Sequence, residues 1–312
     1  MKKLKFLVSL IMEENQYQKL HASVARDVAG RLGVDVQILY AGNDAIAQSE
    51  QLLNAIHSPQ SRPDGIICAP VGTTLTSVAR RAVETGVGWA VLNRECDYMA
   101  DLRRNTSVPV FFVSADQAEI GRIQGRQIAA LIPHGGLILY ILGPAGSPIV
   151  EYRRSFMQST KPANVQVRTL SGDWSLESAR KAVSAWLQLR TSRTTPVSLV
   201  AAQCDDMAIG ARQALETETD GDERMRWIGL PFIGCDGCPA AGQEWVRRGW
   251  LTSTVVNPPT AGPALEMMVH AIQTKSQPQE RTLIAPASFP PLEKLGAGLD
   301  NRAAHGINPS GR

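Results

Sequence analysis

The stretch LVAAQCDDMAIGA at residues 199–211, followed by FIGCDG at residues 232–237, decides the fold of this chain. Each segment opens with an apolar run of the kind that forms a buried β-strand. The first run ends in a polar cluster that contains Asp205 and continues with helical spacing, and the second stops at Asp236. Both predicted strands therefore deliver a carboxylate at their ends, and strand ends of this kind form the ligand crevice of open α/β sheets.

Apolar runs alternate with helical patterns along most of the remaining chain. Lys5–Met12 is the first predicted strand, Tyr17–Leu32 carries apolar residues at helical spacing, and Gly33 stands where a helix commonly ends. Strands that alternate with helices predict a mostly parallel sheet, so we expect an α/β fold of doubly wound sheets, with a (β/α)₈ barrel as the alternative. Residues 291–312 lose the periodicity and are expected to form a loose tail.

The composition is that of an ordinary globular protein and excludes several classes of function. The chain has 312 residues, enough for two domains, with 44% hydrophobic residues, 20% charged residues and a net charge of +3. Because the net charge is small and no dense basic block is present, nucleic-acid binding is not expected. No apolar run reaches the length of about 18 residues that a membrane-spanning helix needs, so the chain is not expected to be membrane-embedded.

The amino-terminal sequence and the cysteines bear on localisation. Residues Met1–Met12 have a basic start and an apolar centre, but no small-residue cleavage site follows, which favours a first strand over a signal peptide. The odd number of cysteines, five, argues against a complete disulfide framework and fits a reducing compartment. We expect a cytoplasmic protein if the chain as written is complete, and a periplasmic one if a leader has been removed.

The segments at residues 199–211 and 232–237 resemble those of a known family. Type I periplasmic sugar-binding proteins such as the ribose-binding proteins, and the related effector-binding cores of LacI-type repressors, read A-x-N-D-x-x-A-x-G-A in the first segment and G-x-D-G in the second. Residues 202–211 and 234–237 match this frame, except that Cys204 stands where the family has Asn. The resemblance covers residues 4–290.

This resemblance implies two doubly wound parallel-sheet lobes joined by a three-segment hinge. The implied lobes are residues 1–113 plus 255–285 and residues 114–254, with residues 286–312 as a C-terminal tail. The implied function is binding of a small carbohydrate or polyol in the cleft between the lobes, with hinge closure. The implied partners are that small molecule and either the permease of an ABC-type sugar importer or a signalling protein. No enzyme activity, cofactor or metal is expected.

Polar and aromatic residues at predicted strand ends are the candidate ligand contacts. Carboxylates and amides exchange hydrogen bonds with sugar hydroxyls, arginine donates paired hydrogen bonds, and aromatic rings pack on the apolar faces of sugars. The resemblance implies that Asp236 is the principal sugar-binding carboxylate, although an Asp-Gly turn alone needs no ligand. The candidate ligand-binding residues are Glu14, Gln16, Tyr17, Asn93, Arg94, Glu151, Arg153, Cys204, Asp205, Asp236 and Asn257.

Several of these residues have a structural alternative that involves no ligand. Glu14 or its neighbour Asn15 would serve as the N-cap of the helix that follows. Arg94 would pair at the surface with a nearby acidic residue such as Glu95, and Arg153 would be a solvated helical arginine. Each alternative predicts a side chain that is exposed to solvent or that bonds to a neighbour in the sequence. None of them predicts a side chain held in a buried cluster.

Two other functions remain as alternatives. Cys235-x-x-Cys238, together with Cys204, has the spacing of a metal or redox site, but no second pair of ligands accompanies it in the sequence. Asp205 and Asp236 would be the acid/base carboxylates of an α/β enzyme, but the sequence has no G-x-S-x-G motif and no histidine beside an obvious nucleophile.

Overall fold

Buried strands alternate with helices in both halves of the chain, as the α/β pattern of the sequence predicts. The computed structural model describes residues 3–104 and 106–295. In chain order its elements are β1 (Lys5–Leu10), α1 (Gln16–Leu32), β2 (Asp35–Tyr40), α2 (Ala45–His57), β3 (Gly65–Cys68), α3 (Thr76–Glu84), β4 (Gly88–Leu92), α4 (Met99–Arg104), β5 (Val110–Ala115), α5 (Gln117–Leu131), β6 (Gly136–Leu142), α6 (Pro148–Thr160), β7 (Val165–Ser171), α7 (Leu176–Leu187), α8 (Arg190–Thr194), β8 (Val197–Ala202), α9 (Asp205–Glu218), α10 (Gly221–Ile228), β9 (Phe232–Asp236), α11 (Gly242–Arg247), β10 (Ser253–Val256), α12 (Ala261–Thr274), β11 (Arg281–Ile284) and β12 (Ala287–Phe289).

The described residues divide into two units, each built on one sheet. Unit 1 comprises the described residues up to Gln117 together with Pro258–Ala285, and its strands lie in the order β11-β5-β4-β3-β1-β2, all parallel. Unit 2 comprises Ala118–Asn257 and the described residues from Pro286 onward, with strands in the order β12-β10-β9-β8-β6-β7. Only β12 runs antiparallel among the described strand pairs of unit 2.

The strand order creates a switch point in each sheet. In unit 1 the chain moves outward from β1 to β2 and then returns to the other side of β1 for β3; unit 2 repeats this with β6, β7 and β8. At such a switch point the connecting loops leave in opposite directions, which opens a crevice at the carboxyl ends of the strands. The loops that carry the candidate residues follow these carboxyl ends.

The first strand shows why the sequence forms a buried sheet. Successive side chains of a strand point to opposite faces, so Phe6 and Val8 pack with α1 and α12 on one face. Leu7 packs with α2 and α3 on the other face. A strand covered by helices on both faces is apolar at nearly every position, which explains the continuous apolar run.

Local signals place the ends of the first helix. Asn15 precedes α1, and its Oδ1 accepts hydrogen bonds from the backbone N–H groups of Tyr17 (3.0 Å) and Gln18 (3.1 Å). Gly33 follows α1 in the left-handed conformation with φ of +65°. This residue ends the helix at the predicted position because glycine carries no Cβ that would oppose that conformation.

The unit boundaries differ from the predicted lobes. The chain passes between the units after Gln117, after Asn257 and after Ala285, so the first two crossings come later than predicted. The reason is that β5 and β10 are completed within their own sheets before the chain leaves them.

The first residues of the predicted tail pack into unit 2. Residues 287–289 form β12, which pairs with β10, and Leu295 packs into the core of unit 2 with 5% of its surface exposed. Residues 286–295 therefore belong to unit 2 rather than to a separate tail. The remaining part of the predicted tail, residues 296–312, lies outside the described residues.

Within the part of the chain that the structure describes, no helix is long and apolar enough to cross a membrane.

Candidate ligand-binding site

The loop after β1 brings three of the predicted residues to the carboxyl edge of unit 1. Glu14 is exposed, Gln16 is half-buried as the first residue of α1, and Tyr17 is 6% exposed. The Tyr17 hydroxyl donates a 3.0 Å hydrogen bond to the carbonyl oxygen of Pro258. Of the two predicted N-cap residues, Glu14 and Asn15, the structure uses Asn15. Glu14 therefore does not cap α1.

Asn93 and Arg94 follow β4 at the same edge. Asn93 adopts a left-handed backbone with φ of +61°, and its Oδ1 accepts a 3.3 Å hydrogen bond from the Thr260 hydroxyl. Arg94 is half-buried, and burial lowers the pKa of its guanidinium. Among the described residues Arg94 forms no ion pair with Glu95, which instead lies 3.6 Å from Arg281. The surface pairing considered for Arg94 is therefore absent from the described part of the chain.

A buried histidine lies beneath this edge and was not singled out from the sequence. His21 is fully buried, its Nε2 accepts a 3.4 Å hydrogen bond from the backbone N–H of Thr260, and its ring meets the Tyr17 ring edge-on at 4.4 Å. Burial lowers the pKa of His21 to about 3, so the ring is neutral. Hydrogen bonds from or to Tyr17, His21 and Asn93 hold residues 258–260 in place. Some of the hydrogen-bonding atoms of these three side chains are therefore already used.

Asp236 is the central carboxylate of unit 2. It ends β9 with 6% of its surface exposed and with φ of +116°, a conformation that a non-glycine residue rarely adopts. Burial raises the pKa of Asp236 to about 7, although the Arg153 guanidinium opposes this shift, and the Asp206 carboxylate adds to it. An outlying backbone conformation combined with a perturbed carboxyl group is typical of a binding site.

Arg153 lies in the buried group of side chains around Asp236, whereas Glu151 does not. Arg153 is 5% exposed, and its Nη1 donates a 2.8 Å hydrogen bond to the carbonyl oxygen of Gln203. The interpretation of Arg153 as a solvated helical residue is therefore wrong. Glu151 lies on the exposed side of α6, 62% exposed and 3.3 Å from Arg154. Glu151 therefore lies outside the buried group around Asp236, and its ligand contact stays a prediction.

Asp205 has a structural role at the start of α9. Its Oδ2 accepts a 2.7 Å hydrogen bond from the backbone N–H of Gly237, and its Oδ1 accepts a 2.6 Å hydrogen bond from the Thr254 hydroxyl. Both oxygens therefore join the start of α9 to the ends of β9 and β10. Burial raises the pKa of Asp205, and the charge of Asp236 adds to the shift. These hydrogen bonds position the Asp236 turn, and the ligand contact of Asp205 stays a prediction.

Cys204 and Asn257 complete the polar edge of unit 2. The Cys204 thiol is buried and lies 3.6 Å from the carbonyl oxygen of Trp174. Asn257 is 2% exposed, its backbone N–H donates to the Asp236 carbonyl oxygen at 3.0 Å, and its side chain bonds the Asp236 carboxylate. The Oδ1 atom of Asn257 is buried and has no hydrogen-bond partner among residues 3–104 and 106–295.

Trp174 is a site residue that the sequence analysis missed. It lies in the loop between β7 and α7, three residues after Ser171, with φ of +76°, and its indole occupies the space that a side chain at Gly143 would fill. The Arg153 guanidinium lies 5.9 Å from its ring centroid. The available signal was an aromatic residue between a predicted strand and a predicted helix.

The cysteines do not form the alternative metal site. Cys204, Cys235 and Cys238 are buried free thiols, and burial raises the pKa of each. Over residues 3–104 and 106–295, no group of three or more His, Cys, Asp or Glu side chains is arranged to hold a metal ion. Buried neutral thiols behave as small apolar groups, and this is the role their surroundings indicate.

Curated relatives of this chain are binding proteins. The chain is 27% identical over 215 residues to a protein of Rhizobium meliloti described as rhizopine-binding, an alignment that covers 67% of this chain and 66% of that protein. It is 27% identical over 195 residues to the D-xylose-binding periplasmic protein of Haemophilus influenzae, covering 61% of this chain and 55% of that protein. The chain thus spans between 55% and 66% of the length of these relatives.

Solved structures share the fold. A periplasmic solute-binding protein of an ABC transporter from Actinobacillus succinogenes, crystallised with D-allose, superposes with a TM-score of 0.79 at 19% identity, covering 95% of this chain and 100% of that chain. The sequence model of the periplasmic binding protein domain matches residues 6–276. Because this match spans well over half of the chain, the protein belongs to the periplasmic binding protein domain family.

Proposed function

We propose that this protein binds a small sugar or polyol and delivers it to the permease of an ABC-type importer. The observation that carries the proposal is the arrangement of Asp236, a buried carboxylate at the end of β9 with Arg153 and Asn257 as neighbours. A polyol offers closely spaced hydroxyl groups that donate to a carboxylate and accept from a guanidinium. Relatives described as binding rhizopine or D-xylose support the same class of ligand.

Unit 1 is proposed to contribute further contacts. Arg94, Glu14 and Gln16 lie at the carboxyl edge of its sheet, where ligands of open α/β sheets bind. Tyr17 is proposed to offer the exposed part of its ring to the ligand, while its hydroxyl is held by Pro258 and its ring lies against His21. The closing motion that the family resemblance implies stays a prediction.

The similar proteins also support a proposed partner. The solved relative with D-allose is described as the solute-binding protein of an ABC transporter, and a permease is therefore the partner that we propose. A signalling protein is the alternative partner. We propose no catalytic step, because the curated relatives are described as binding proteins.

A ligand screen tests the proposal. Purified protein is screened by thermal shift against pentoses, hexoses, polyols, inositols and sugar acids, and each stabilising compound is then measured by titration calorimetry. A ligand that prefers the folded state raises its melting temperature. Asp236→Ala should weaken the best ligand by at least about 30-fold, since truncating one partner of a buried charged hydrogen bond costs about 2–5 kcal/mol.

The control removes a carboxylate without touching the candidate site. Asp222 is exposed on α10 in the same unit, so Asp222→Asn should leave the affinity unchanged. Equal affinities for wild type and Asp236→Ala would refute the assignment of Asp236. A panel in which no sugar or polyol raises the melting temperature would refute the proposed ligand class.

A further inference from the structure

Strand β2 forms an open edge of the sheet in unit 1. It pairs with β1 on one side, and no other strand in the described part of the chain pairs with it. The backbone N–H of Asp35 donates to the carbonyl oxygen of Leu4, next to β1. Because backbone groups alternate in direction along a strand, the N–H and C=O groups of Val36, Ile38 and Tyr40 point away from β1. They form a row of donors and acceptors with which another strand can pair.

The other three edge strands of the two sheets carry features that protect an edge, and β2 does not. Arg168 lies at the centre of β7, Arg281 begins β11, and a proline follows β12. Charged residues and prolines discourage a second strand from pairing at an edge. In β2 the charge is confined to the first residue, Asp35, which forms a 2.6 Å ion pair with Lys3, and residues 36–40 are uncharged. The edge of β2 is therefore suited to pairing with another strand.

A groove beside β2 contains a buried acceptor without a donor. The groove lies between β2 and α2, and Gln37, Leu39 and Gln51 are among the residues that line it. The Nε2 atom of Gln51 donates a 3.1 Å hydrogen bond to the carbonyl oxygen of Tyr40, so this amide lies at the open edge. Its Oε1 atom is buried and has no hydrogen-bond partner among residues 3–104 and 106–295. Buried side-chain acceptors almost always have a partner, so this one indicates that a further molecule supplies the donor.

We infer that two copies of this chain pair through β2, with the strands antiparallel and a twofold axis at Ile38. In this register Ile38 exchanges both backbone hydrogen bonds with Ile38 of the second copy, and Val36 lies opposite Tyr40. Directly opposed side chains of a sheet lie on the same face, so Gln37 of the second copy lies opposite Leu39, at the groove. Its amide NH₂ is placed there to donate to the Oε1 atom of Gln51. A second copy thus satisfies the open backbone edge and the buried acceptor together.

The size of this contact determines how the dimer behaves. A contact limited to one strand and its groove is smaller than the about 1,200–2,000 Å² that a stable interface buries, so the dimer should dissociate on dilution. All of the residues involved belong to unit 1 and lie at its outer strand rather than at the carboxyl edge that carries the candidate ligand contacts. The inference is therefore independent of the proposed function.

Sedimentation velocity of the full chain over a dilution series tests the inference. The wild type should be dimeric at high concentration and monomeric at low concentration. Ile38→Pro removes only an outward-facing N–H, so it keeps the bonds to β1 and should weaken the dimer at least about tenfold. Val167→Pro is the matched control on β7, where Gly172 donates to Leu142 of β6 and the N–H of Val167 likewise faces outward, and it should leave the dimer unchanged. Gln37→Ala removes the donor to Gln51 and should weaken the dimer at least about fivefold.

Cross-linking tests the register and decides the outcome if Ile38→Pro fails to fold. Opposed residues that exchange both bonds have Cα atoms about 5.5 Å apart, within the about 4.4–6.8 Å of a disulfide. Copper-phenanthroline oxidation should therefore produce a covalent dimer of Ile38→Cys and none of Val167→Cys, read on a non-reducing gel. A wild type that stays monomeric at every concentration would overturn the inference. A dimer that neither Ile38→Pro nor Gln37→Ala weakens, or an Ile38→Cys variant that forms no more covalent dimer than Val167→Cys, would also overturn it.

Discussion

The carboxylate of Asp205 accepts a 2.7 Å hydrogen bond from the backbone N–H of Gly237, the residue that follows Asp236. The start of α9 thereby holds the turn that presents the central carboxylate of unit 2. Gly237 has φ of +57°, and a Cβ there would lie 2.6 Å from the Cα atom of Val256. The turn is thus fixed by a hydrogen bond on one side and by close backbone packing on the other.

Asp205→Ala should destabilise the protein by about 2–4 kcal/mol, because the Gly237 N–H and the Thr254 hydroxyl would lose their buried acceptor. Urea unfolding measures the change in free energy. Thr254→Val removes one of these bonds and should cost about 1 kcal/mol. The double variant should be more stable than the sum of the single effects implies, because the residues share one interaction. Strict additivity would contradict the direct contact.

Asp236→Asn should stabilise the unliganded protein above pH 7. Burial raises the folded-state pKa of Asp236 from 3.8 to about 7, so the folded protein holds this proton more tightly than the unfolded chain. The stabilisation that the protonated Asp236 carboxyl group contributes is complete below about pH 4 and is lost as pH rises toward 7. At pH 8 the variant should be about 1–3 kcal/mol more stable than wild type, with little difference at pH 4. Urea unfolding at both pH values checks this, and a difference independent of pH would count against it.

His21 should make unit 1 sensitive to acid. Burial lowers its folded-state pKa from 6.5 to about 3, so the unfolded chain binds the proton first. The stabilisation that neutral His21 contributes is present above pH 6.5 and is lost as pH falls toward 3. Between pH 7 and pH 4.5 the free energy of unfolding should therefore fall by about 2–3 kcal/mol. His21→Asn should flatten this dependence, whereas His270→Gln, on the exposed side of α12, should not. Equal pH profiles for the two variants would contradict this role.

Tyr17→Phe isolates the hydroxyl that holds residues 258–260. Loss of its 3.0 Å hydrogen bond to the Pro258 carbonyl oxygen should cost about 1 kcal/mol of stability. Ligand affinity should fall less than tenfold, because the aromatic ring is retained. Thermal unfolding and calorimetry give the two values. A loss of affinity as large as that expected for Asp236→Ala would instead mean that the hydroxyl contacts the ligand.

The sequence predicted most of the fold and part of the site. Alternating apolar and helical patterns were sufficient for the α/β class, because they reflect burial on both faces of strands such as β1. The short helices α4, α8 and α10 and the edge strand β12 were not predicted, since segments this short carry little periodicity. The position of Asp236 at a strand end was predicted, and the exposure of Glu151 was not.

The sequence alone was sufficient for the alternation of strands and helices, the C-cap of α1, and the family frame around Asp205 and Asp236. These are local properties, written in residues that lie close together along the chain. The tertiary structure was needed to show that both oxygens of Asp205 are occupied, that Arg153 is buried, and that Asn257 Oδ1 has no partner in the described part of the chain. Those facts depend on contacts between residues far apart in sequence, which local spacing does not encode.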